Sequence, residues 1–422
     1  MPQKDNIVRS RKLIEVITGN EAAAYGALLC QPKVVCAYPI TPQSEIPEKI
    51  SEFHAQGLLK GKFINVESEM AALGYVTGAS IGGVRTFTAT SSQGLAWMHE
   101  GLHWAAGSRL PIVMVNVNRP FGAPWNLTCD QIDSLAQRDT GWMQFYCESN
   151  QEILDTIIQA YRVAEQVSLP AMVCLDGVYL SYLSESVDIP DQGKVDSYLP
   201  PYAPQFEIDG GGWKLFDTRP QMKGGYDLFT PTGFMADRYE LHKLEDQCVI
   251  TALTANKEFY ELFGRSYPLV EDYMIEDAEL VVVCSGSAVG TCRHVVNRLR
   301  NKGQKVGLVK IKMFRPFPRE MVRGMLSGTK KVAVIERDIS PGQCGIFYQE
   351  IKWALYTNAN RSFTPIYGFV AGLGGADITP KLIEKAITYA MDNDPPQQEV
   401  IWLGLEEKKI PDEYDRSTIK IY

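Results

Sequence analysis

The sequence predicts an α/β protein in which a doubly wound, parallel sheet precedes a second α/β unit. Apolar strand-like runs without polar alternation recur along the chain, and amphipathic helical patterns separate them. Strands that are apolar on both faces are typical of parallel sheets covered by helices on both sides. With 422 residues, the chain also exceeds one ordinary hydrophobic core, which favours two to three domains.

The first 185 residues contain the more regular alternation, and we assign residues 1–185 to one domain. Ser44 can begin a helix, and Pro47 in its first turn is compatible with helix geometry. The strands predicted here span residues 33–38, 62–66, 84–89, 110–118 and 170–176. The predicted helices span residues 20–30, 44–59, 93–106 and 151–166, with a further helix after residue 69.

Residues 186–275 interrupt this pattern. They are rich in Pro, Gly, Tyr and Asp through residue 245, which we interpret as an extended surface connection, and a linker helix is predicted at 239–266. A second α/β unit follows over residues 276–400, and residues 401–422 form a charged tail. The second unit is predicted to have strands at 280–284, 306–311, 332–335 and 366–370 and helices at 290–302, 319–326, 346–356 and 380–391.

The composition disfavours several classes of function. A formal net charge of −8 argues against nucleic-acid binding, because neutralising phosphates requires an excess of Lys and Arg. No apolar run reaches the roughly eighteen residues of a membrane-spanning helix, and the N-terminus is too polar for a signal peptide, so we expect a cytoplasmic protein. The five histidines lack a convincing metal-ligand spacing, and we expect no metal site.

The nine cysteines also limit the chemistry of the chain. They form no C-x-x-C pair and mostly lie in apolar segments, which indicates reduced thiols in the core. We therefore expect no iron–sulfur cluster in this chain, since such clusters need grouped cysteine ligands.

The functional prediction depends on residues 62–95. An apolar strand ends at Val66, and the carboxylates Glu67 and Glu69 follow at the start of a helix. Acidic residues in this position can cap the helix, which is one role open to Glu67. Residues 70–84 have no side chain that is charged at neutral pH, so Glu69 is expected to face apolar packing, where a carboxylate is suited to proton transfer.

One cofactor requires a carboxylate of this kind. Thiamine diphosphate becomes a carbon nucleophile only when its aminopyrimidine ring acts as a base, and a glutamate hydrogen-bonded to the ring nitrogen drives that change. Glu69 is therefore a candidate catalytic and cofactor-binding residue.

Short motifs that cover nearly the whole chain strengthen this prediction. They are YPITPQS at 38–44, VESE at 66–69, FTATSSQGL at 87–95, AQRDTGW at 136–142, MFRPFP at 313–318 and GLGGADI at 372–378. In this order they resemble the alpha subunit of the 2-oxoacid:ferredoxin oxidoreductases, a family that includes pyruvate:ferredoxin oxidoreductase. Each motif is weak by itself, but the set is specific.

The resemblance implies a first domain of the thiamine-pyrimidine-binding type and a second domain like the C-terminal domain of transketolases. It implies oxidative decarboxylation of a 2-oxoacid with coenzyme A to acyl-CoA and carbon dioxide. The enzyme would be a hetero-oligomer with beta-, gamma- and delta-type subunits, in which partner subunits hold the iron–sulfur clusters and pass electrons to ferredoxin or NAD.

The resemblance also implies that the cofactor is shared. Thiamine enzymes hold the diphosphate and its magnesium with a Gly-Asp-Gly segment and a following Asn, and this chain has no such pair. Leu175-Asp176-Gly177-Val178 is only a partial match. The beta subunit is therefore expected to bind the diphosphate and to supply the magnesium site.

Two residues are implied to contact the substrate. Thr41 lies between two prolines, which restrict its backbone, and the Thr of this motif in the family touches the substrate carboxylate. Arg119 follows the strand 110–118, and the family uses the Arg of this V-N-R segment to hold the carboxylate of the 2-oxoacid. From the residues alone, Thr41 could belong to a rigid turn and Arg119 to a surface ion pair.

Four polar residues after strand 84–89 are candidate cofactor-binding residues. Thr90, Ser91, Ser92 and Gln93 offer hydrogen-bonding groups on the loop that follows the strand. The same residues can instead cap the next helix, and the two roles are compatible.

One segment departs from pyruvate-type relatives. Where these usually have Gly-Asp-His-x-Asp, the chain has Cys129-Asp130-Gln131-Ile132-Asp133, and Trp125 precedes it. We predict that Trp125 and Gln131 border the substrate pocket, where an aromatic wall favours an aromatic 2-oxoacid such as phenylglyoxylate. Alternatively, both residues face a partner subunit and pyruvate is the substrate.

Two other functions are compatible with parts of the pattern. A subunit of a lipoamide-linked 2-oxoacid dehydrogenase shares the thiamine fold, but not the Y-P-I-T-P and M-F-R-P-F-P motifs found here. A non-catalytic scaffold subunit is the other alternative, and its complex would keep normal turnover after Glu69→Gln.

Overall fold

A computed structural model of the chain describes residues 13–204, 231–356 and 364–405. The elements before residue 205 are β1 (Leu13–Thr18), α1 (Gly19–Cys30), β2 (Val34–Ala37), α2 (Glu45–Ala55), β3 (Lys62–Asn65), α3 (Glu69–Ile81), β4 (Thr86–Thr90), α4 (Ser92–Trp97), α5 (His99–Gly107), β5 (Val113–Asn118), α6 (Ile132–Leu135), β6 (Met143–Tyr146), α7 (Asn150–Val167), β7 (Ala171–Asp176), β8 (Ser184–Ile189) and α8 (Gln192–Tyr198). The elements after residue 230 are α9 (Pro231–Phe263), β9 (Val270–Tyr273), β10 (Leu280–Cys284), α10 (Ala288–Arg300), β11 (Val306–Ile311), β12 (Met313–Arg315), α11 (Arg319–Leu326), β13 (Lys331–Glu336), α12 (Ile346–Tyr356), β14 (Ile366–Ala371), α13 (Pro380–Asp392) and β15 (Ile401–Leu403). This alternation confirms the predicted α/β class.

The first sheet positions the predicted site residues. Within the described ranges it has seven strands in the order β12–β6–β7–β5–β4–β2–β3. Neighbouring strands among β2 to β7 run parallel, whereas the edge strand β12 is antiparallel to β6. The carboxyl ends of β4, β5 and β7 therefore meet at one edge, where parallel sheets place ligand groups. Thr90 ends β4 at this edge, and residues 91–93 follow it. Arg119 follows the neighbouring strand β5.

Both faces of the central strand β5 are covered, as the apolar runs predict. Val113, Val115 and Val117 belong to one buried cluster. Met114, on the other face, belongs to a second cluster. Helices pack on both sides of the sheet, so the strand has no solvent-facing side, and this is why its sequence shows no regular polar alternation.

The second sheet contains six strands in the described residues, in the order β15–β14–β13–β10–β11–β9. The strands β10, β11, β13 and β14 lie where four strands are predicted. The two edge strands are additional: β9 carries two acidic residues and β15 has three residues, and short or charged edge strands give a weak sequence signal. Residues 401–403 are thus part of a sheet and not of the predicted tail, and residues 406–422 lie outside the described ranges.

The stretch predicted as an extended connection is also more regular than expected. The strand β8 pairs antiparallel with β1, and the helix α8 begins after Asp191, whose carboxylate accepts a hydrogen bond from the backbone N–H of Gly193. The helix α9 begins at Pro231, eight residues before the predicted start at 239. Long-range pairing with β1 stabilises β8, and a local pattern cannot reveal such a partner. Residues 205–230 lie outside the described ranges.

The MFRPFP motif joins the two sheets. Its first three residues form β12, which leaves the second unit and pairs with β6 of the first sheet. Nearby, the Nζ of Lys310 on β11 donates to both carboxylate oxygens of Glu152 on α7 at 2.9 Å, and both side chains are buried. Burial alone would raise the pKa of Glu152, but the charges of Lys310 and Lys312 outweigh it and the pKa is lowered. An edge strand and a buried ion pair therefore hold the two units together.

Most cysteines lie in the core, as their apolar sequence segments predict. Eight of the nine cysteines are buried, Cys344 is partly exposed, and all nine are free thiols. Across residues 13–204, 231–356 and 364–405, no helix combines the length and the apolar composition that crossing a membrane requires.

Candidate active site

Glu69 lies at the first position of α3. The helix begins here because Ser68 has extended backbone angles and its hydroxyl accepts a hydrogen bond from the backbone N–H of Ala71 at 3.2 Å. Ser68 is thus the capping residue, and Glu67, for which this role was an alternative, is exposed. The side chain of Glu69 is only 6% exposed.

The carboxylate of Glu69 packs directly against a glycine. A Cβ atom added to Gly94 would lie 2.6 Å from Oε1 of Glu69 and 2.7 Å from Oγ1 of Thr90, closer than real Cβ contacts. Within the described ranges, no backbone or side-chain group donates a hydrogen bond to this carboxylate. A largely buried carboxylate that accepts no hydrogen bond from the protein suits a ligand that brings its own hydrogen-bonding group.

Two further buried oxygens at this edge also lack partners. Ser91 occupies the capping position of α4, but its hydroxyl makes no capping hydrogen bond. The Oγ1 of Thr90 and the Oγ of Ser91 are buried and have no hydrogen-bond partner in the described part of the chain. The alternative that Ser91 caps the next helix is therefore not what the structure shows. Both hydroxyls remain free to bind a ligand.

Ser92 and Gln93 are the first two residues of α4, directly after the turn that follows β4. Ser92 has a φ of +49°, a left-handed conformation that is uncommon for a residue with a side chain. Its hydroxyl lies 2.6 Å from the carbonyl oxygen of Pro120 and 2.7 Å from Oε1 of Gln93. The turn after β4 is thus tied to the loop after β5.

Arg119 lies at the end of β5, as predicted, and is 2% exposed. Its guanidinium donates to the carbonyl oxygens of Asn126 at 3.0 Å and Thr41 at 2.6 Å, and to Oε1 of Gln93 at 3.2 Å. All three acceptors are neutral, and no carboxylate of the described residues forms an ion pair with Arg119, so the surface ion pair considered from the sequence is absent. Burial lowers the pKa of Arg119, and the charge of Asp133 opposes this shift.

Thr41 and Trp125 complete the surroundings of Arg119. Thr41 contributes its backbone carbonyl, and its side chain is exposed. The indole of Trp125 is 70% exposed, and its ring centre lies 5.1 Å from the guanidinium carbon of Arg119, a cation–π distance. The structure therefore brings Thr41, Gln93, Arg119 and Trp125 together at one edge of the first sheet.

Gln131 lies in a different environment from the other predicted site residues. Its Nε2 donates to Oδ1 of Asp176 at 2.9 Å. Asp176 also accepts hydrogen bonds from the backbone N–H of Ser287 at 2.9 Å and from its hydroxyl at 2.6 Å. The side chain of Gln131 is thus bound at the contact between the two units, and its role in substrate binding stays a prediction.

Asp133 is a residue of this site that the sequence analysis did not single out. Its buried carboxylate accepts hydrogen bonds from Asn116 and Asn118 on β5 and from the backbone after β4 and β5. A signal was present in the sequence, because Asn116 and Asn118 are polar residues in an otherwise apolar strand and a buried amide requires a polar partner.

Two family models match most of the chain. Residues 25–253 match the family model described as "Pyruvate flavodoxin/ferredoxin oxidoreductase, thiamine diP-bdg". Residues 278–383 match the model "Pyruvate:ferredoxin oxidoreductase core domain II". The chain belongs to the 2-oxoacid:ferredoxin oxidoreductase family and is an alpha-type subunit of an oxidoreductase.

Curated relatives agree with this assignment over nearly the whole chain. The pyruvate synthase subunit PorA of Methanothermobacter thermautotrophicus is 45% identical over 399 residues, which cover 94% of this chain and 99% of that protein. The ketoisovalerate oxidoreductase subunit VorA of Pyrococcus furiosus is 46% identical over 398 residues, which cover 93% of this chain and 98% of that protein.

Solved structures support the fold. The 2-oxoglutarate:ferredoxin oxidoreductase from Magnetococcus marinus aligns with a TM-score of 0.66 at 21% identity, covering 89% of this chain and 65% of that chain. A split-gene transketolase aligns with a TM-score of 0.51 at 14% identity, covering 90% of this chain and 99% of that chain. At these identities the likeness concerns the fold alone.

The contact between Gly94 and Glu69 generates a first test. We expect Gly94→Ala to lower the rate of hydrogen exchange at the reactive carbon of thiamine diphosphate by about 10²-fold in the purified complex, because the added Cβ displaces the carboxylate. The matched control is Gly324→Ala in α11, where a Cβ meets no heavy atom within 4 Å and exchange should be unchanged. A wild-type exchange rate in Gly94→Ala would show that this packing does not position Glu69.

Proposed function

We propose that this chain is the alpha subunit of an enzyme that oxidatively decarboxylates a 2-oxoacid and transfers the acyl group to coenzyme A. The electrons pass to iron–sulfur clusters in partner subunits and from there to ferredoxin or NAD. Relatives named as pyruvate synthase and ketoisovalerate oxidoreductase subunits support this class of reaction. The observation that carries the proposal for this chain is the buried carboxylate of Glu69, which lies against Gly94 without a donor among the described residues.

The residues around Glu69 fit thiamine diphosphate. When bound, this cofactor supplies a carbon nucleophile for the 2-oxo carbon and accepts the charge that carbon dioxide leaves behind. Glu69 would hold the cofactor by sharing a proton with the ring nitrogen of its aminopyrimidine, which would give the carboxylate a hydrogen-bond partner. The free hydroxyls of Thr90 and Ser91 offer further hydrogen bonds, and Ser92 and Gln93 hold the turn that carries them.

Arg119 is suited to bind the substrate carboxylate. A guanidinium has five N–H groups, and three of them are occupied by neutral acceptors. Two N–H groups and the full positive charge therefore remain for a carboxylate, which guanidinium binds in a bidentate geometry. The carbonyl of Thr41 fixes the orientation of the side chain, and the ring of Trp125 covers one face of it.

The acyl group of the substrate is proposed to be aliphatic. One face of the Trp125 ring lies against Arg119, so this indole can serve the carboxylate end of any 2-oxoacid rather than an aromatic acyl group. The relatives named above are called after pyruvate and ketoisovalerate. Phenylglyoxylate, which the sequence analysis favours, finds no support in these names. It is the alternative that a comparison of specificity constants tests.

The cofactor site is proposed to be shared with a beta-type subunit. The carboxylate of Glu69 accounts for the pyrimidine end, whereas the sequence lacks the Gly-Asp-Gly segment and Asn that bind the diphosphate and magnesium. The matched family models name flavodoxin or ferredoxin as the acceptor, which disfavours the lipoamide-linked alternative.

A shared site predicts weak cofactor binding by this chain alone. We expect isothermal titration of the purified chain with thiamine diphosphate and Mg²⁺ to show little or no heat of binding, and tight binding to appear when the beta-type subunit is present. The reason is that most of the charge on the cofactor would lack protein ligands. Tight, magnesium-dependent binding by the lone chain would contradict the proposal.

The proposed role of Glu69 predicts the behaviour of Glu69→Gln. The amide keeps the size of the side chain but cannot share the proton, so hydrogen exchange at the reactive carbon should fall by about 10²–10⁴-fold while the complex still assembles. The control is Glu67→Gln, two residues away and exposed, which should exchange normally. Normal turnover of the Glu69→Gln complex would identify this chain as the non-catalytic scaffold instead.

The roles of Arg119 and of the acyl pocket are tested by one set of specificity constants. For the native complex, kcat/KM should be higher for pyruvate or ketoisovalerate than for phenylglyoxylate. Arg119→Ala should lower kcat/KM for all three acids by a similar factor, about 10²-fold, because they have the carboxylate in common.

Arg298 of α10, half-buried and paired with Glu384, provides the control for charge removal, and Arg298→Ala should leave all three constants unchanged. A native preference for phenylglyoxylate would establish the aromatic substrate, and an unchanged kcat/KM in Arg119→Ala would remove Arg119 from carboxylate binding.

A further inference from the structure

The ends of β4 and β5 are fixed by one buried carboxylate, that of Asp133. Its Oδ2 accepts from the backbone N–H of Ser92 at 2.9 Å and from the backbone N–H of Arg119 at 3.1 Å. Its Oδ1 accepts from the side chain of Asn118 at 2.9 Å and from the backbone N–H of Ser134 at 2.8 Å. A fifth hydrogen bond comes from the amide of Asn116.

Asp133 holds the backbone of Arg119 and does not pair with its charge. The guanidinium extends away to Asn126, Thr41 and Gln93, whereas the carboxylate binds the N–H at the start of the same residue. A direct ion pair would neutralise the guanidinium and occupy the N–H groups that a substrate needs. This separation fixes the side chain and leaves its charge for an anionic ligand.

The same carboxylate controls the neighbouring loop. Ser92 adopts a left-handed backbone conformation, which is unfavourable for a residue with a Cβ atom and persists only when surrounding contacts fix it. Two contacts do so: the backbone N–H bonds to Asp133 and the hydroxyl bonds to the carbonyl of Pro120, one residue after Arg119. Asp133 therefore holds the backbone of both loops, which are also bonded directly to each other.

We propose that Asp133 is a positioning residue that sets the orientation of Arg119 toward the carboxylate of the 2-oxoacid. This inference rests on the proposed function, in which Arg119 binds that carboxylate. Asp133 makes no hydrogen bond to Glu69 in the described structure, and Gly94 is held by its own backbone hydrogen bond to Ser91, so a substitution of Asp133 that keeps the hydrogen bond to Ser92 should affect substrate binding and not the activation of the cofactor.

The test compares two substitutions of Asp133 in the purified complex. Asp133→Ala removes all five hydrogen bonds and should raise KM for pyruvate or ketoisovalerate, whichever the native complex prefers, by about 10²-fold. Asp133→Asn keeps one oxygen for Ser92 and Arg119 but loses the negative charge, so KM should rise by about tenfold. In Asp133→Asn, which keeps the hydrogen bond from Ser92, hydrogen exchange at the reactive carbon of the cofactor should keep its native rate.

Asp133→Asn is expected to fold. The Oδ1 of Asn118 is buried without a partner in the described residues, so this amide can turn its oxygen toward the new NH₂ group, and the hydrogen bond from the backbone N–H of Ser134 is the one that is lost. Asp130 provides a matched control three residues earlier in the same turn. It is 8% exposed and accepts from the backbone N–H of Ile132 at 2.8 Å, and Asp130→Asn should leave KM unchanged.

The outcomes are separable. A graded rise of KM in the two Asp133 variants, with native exchange in Asp133→Asn and a native KM in Asp130→Asn, supports the positioning role. If Asp133→Ala does not assemble, Asp133→Asn decides, and a native KM in that variant overturns the proposal. The proposal is also overturned if Asp133→Asn lowers the hydrogen-exchange rate of the cofactor by the same factor as it raises KM, or if Asp130→Asn changes KM equally. Either result means a general structural role. A native complex that turns over no 2-oxoacid refutes the proposed function instead.

Discussion

The carboxylate of Asp133, which accepts five hydrogen bonds from uncharged donors, is the interaction on which the geometry of the candidate site depends. Burial raises the pKa of Asp133 to about 6, and hydrogen bonds from Asn116 and from the backbone oppose this shift. Arg119 mirrors this arrangement, since its buried guanidinium is held by uncharged acceptors. Two opposite charges thus lie at the end of one strand, each stabilised by dipoles and neither neutralised by the other.

A second set of contacts fixes the second unit relative to this edge. Asp176, at the end of β7, accepts hydrogen bonds from Gln131 of the first unit and Ser287 of the second. Farther along the same contact, Glu152 pairs with Lys310. Breaking a buried ion pair by removing one partner typically costs about 3–5 kcal/mol, so these contacts restrict relative movement of the units. The helix α6, which carries Asp133, directly follows Gln131 and is therefore held both by the hydrogen bonds of Asp133 and by the bond from Gln131 to Asp176.

Much of this structure follows from the sequence, and the exceptions have a common cause. Continuous apolar runs predict the inner strands, because these strands are buried on both faces. The strands β8 and β9 and the anchor Asp133 are stabilised by partners that are distant in sequence, which no local pattern reports. Family motifs identify Arg119 and Glu69, but they do not show that Trp125 covers Arg119 or that Gln131 bonds to Asp176.

The distribution of unsatisfied groups indicates where the site is incomplete. Buried oxygens without partners in the described residues concentrate on β4 and β5 and on the turn after β4: the Oγ1 of Thr86, Thr88 and Thr90, the Oγ of Ser91, and the Oδ1 of Asn116 and Asn118. Each unsatisfied buried group costs about 1–3 kcal/mol of folding free energy, so such a cluster is tolerated only where another interaction offsets that cost. Glu69, which lies against Thr90 and Gly94, adds a buried carboxylate to the same region. Of these groups, Thr90 and Ser91 lie at the carboxyl end of β4, and a polar ligand bound at this edge would satisfy them, so the stability of the subunit would then rise with cofactor occupancy.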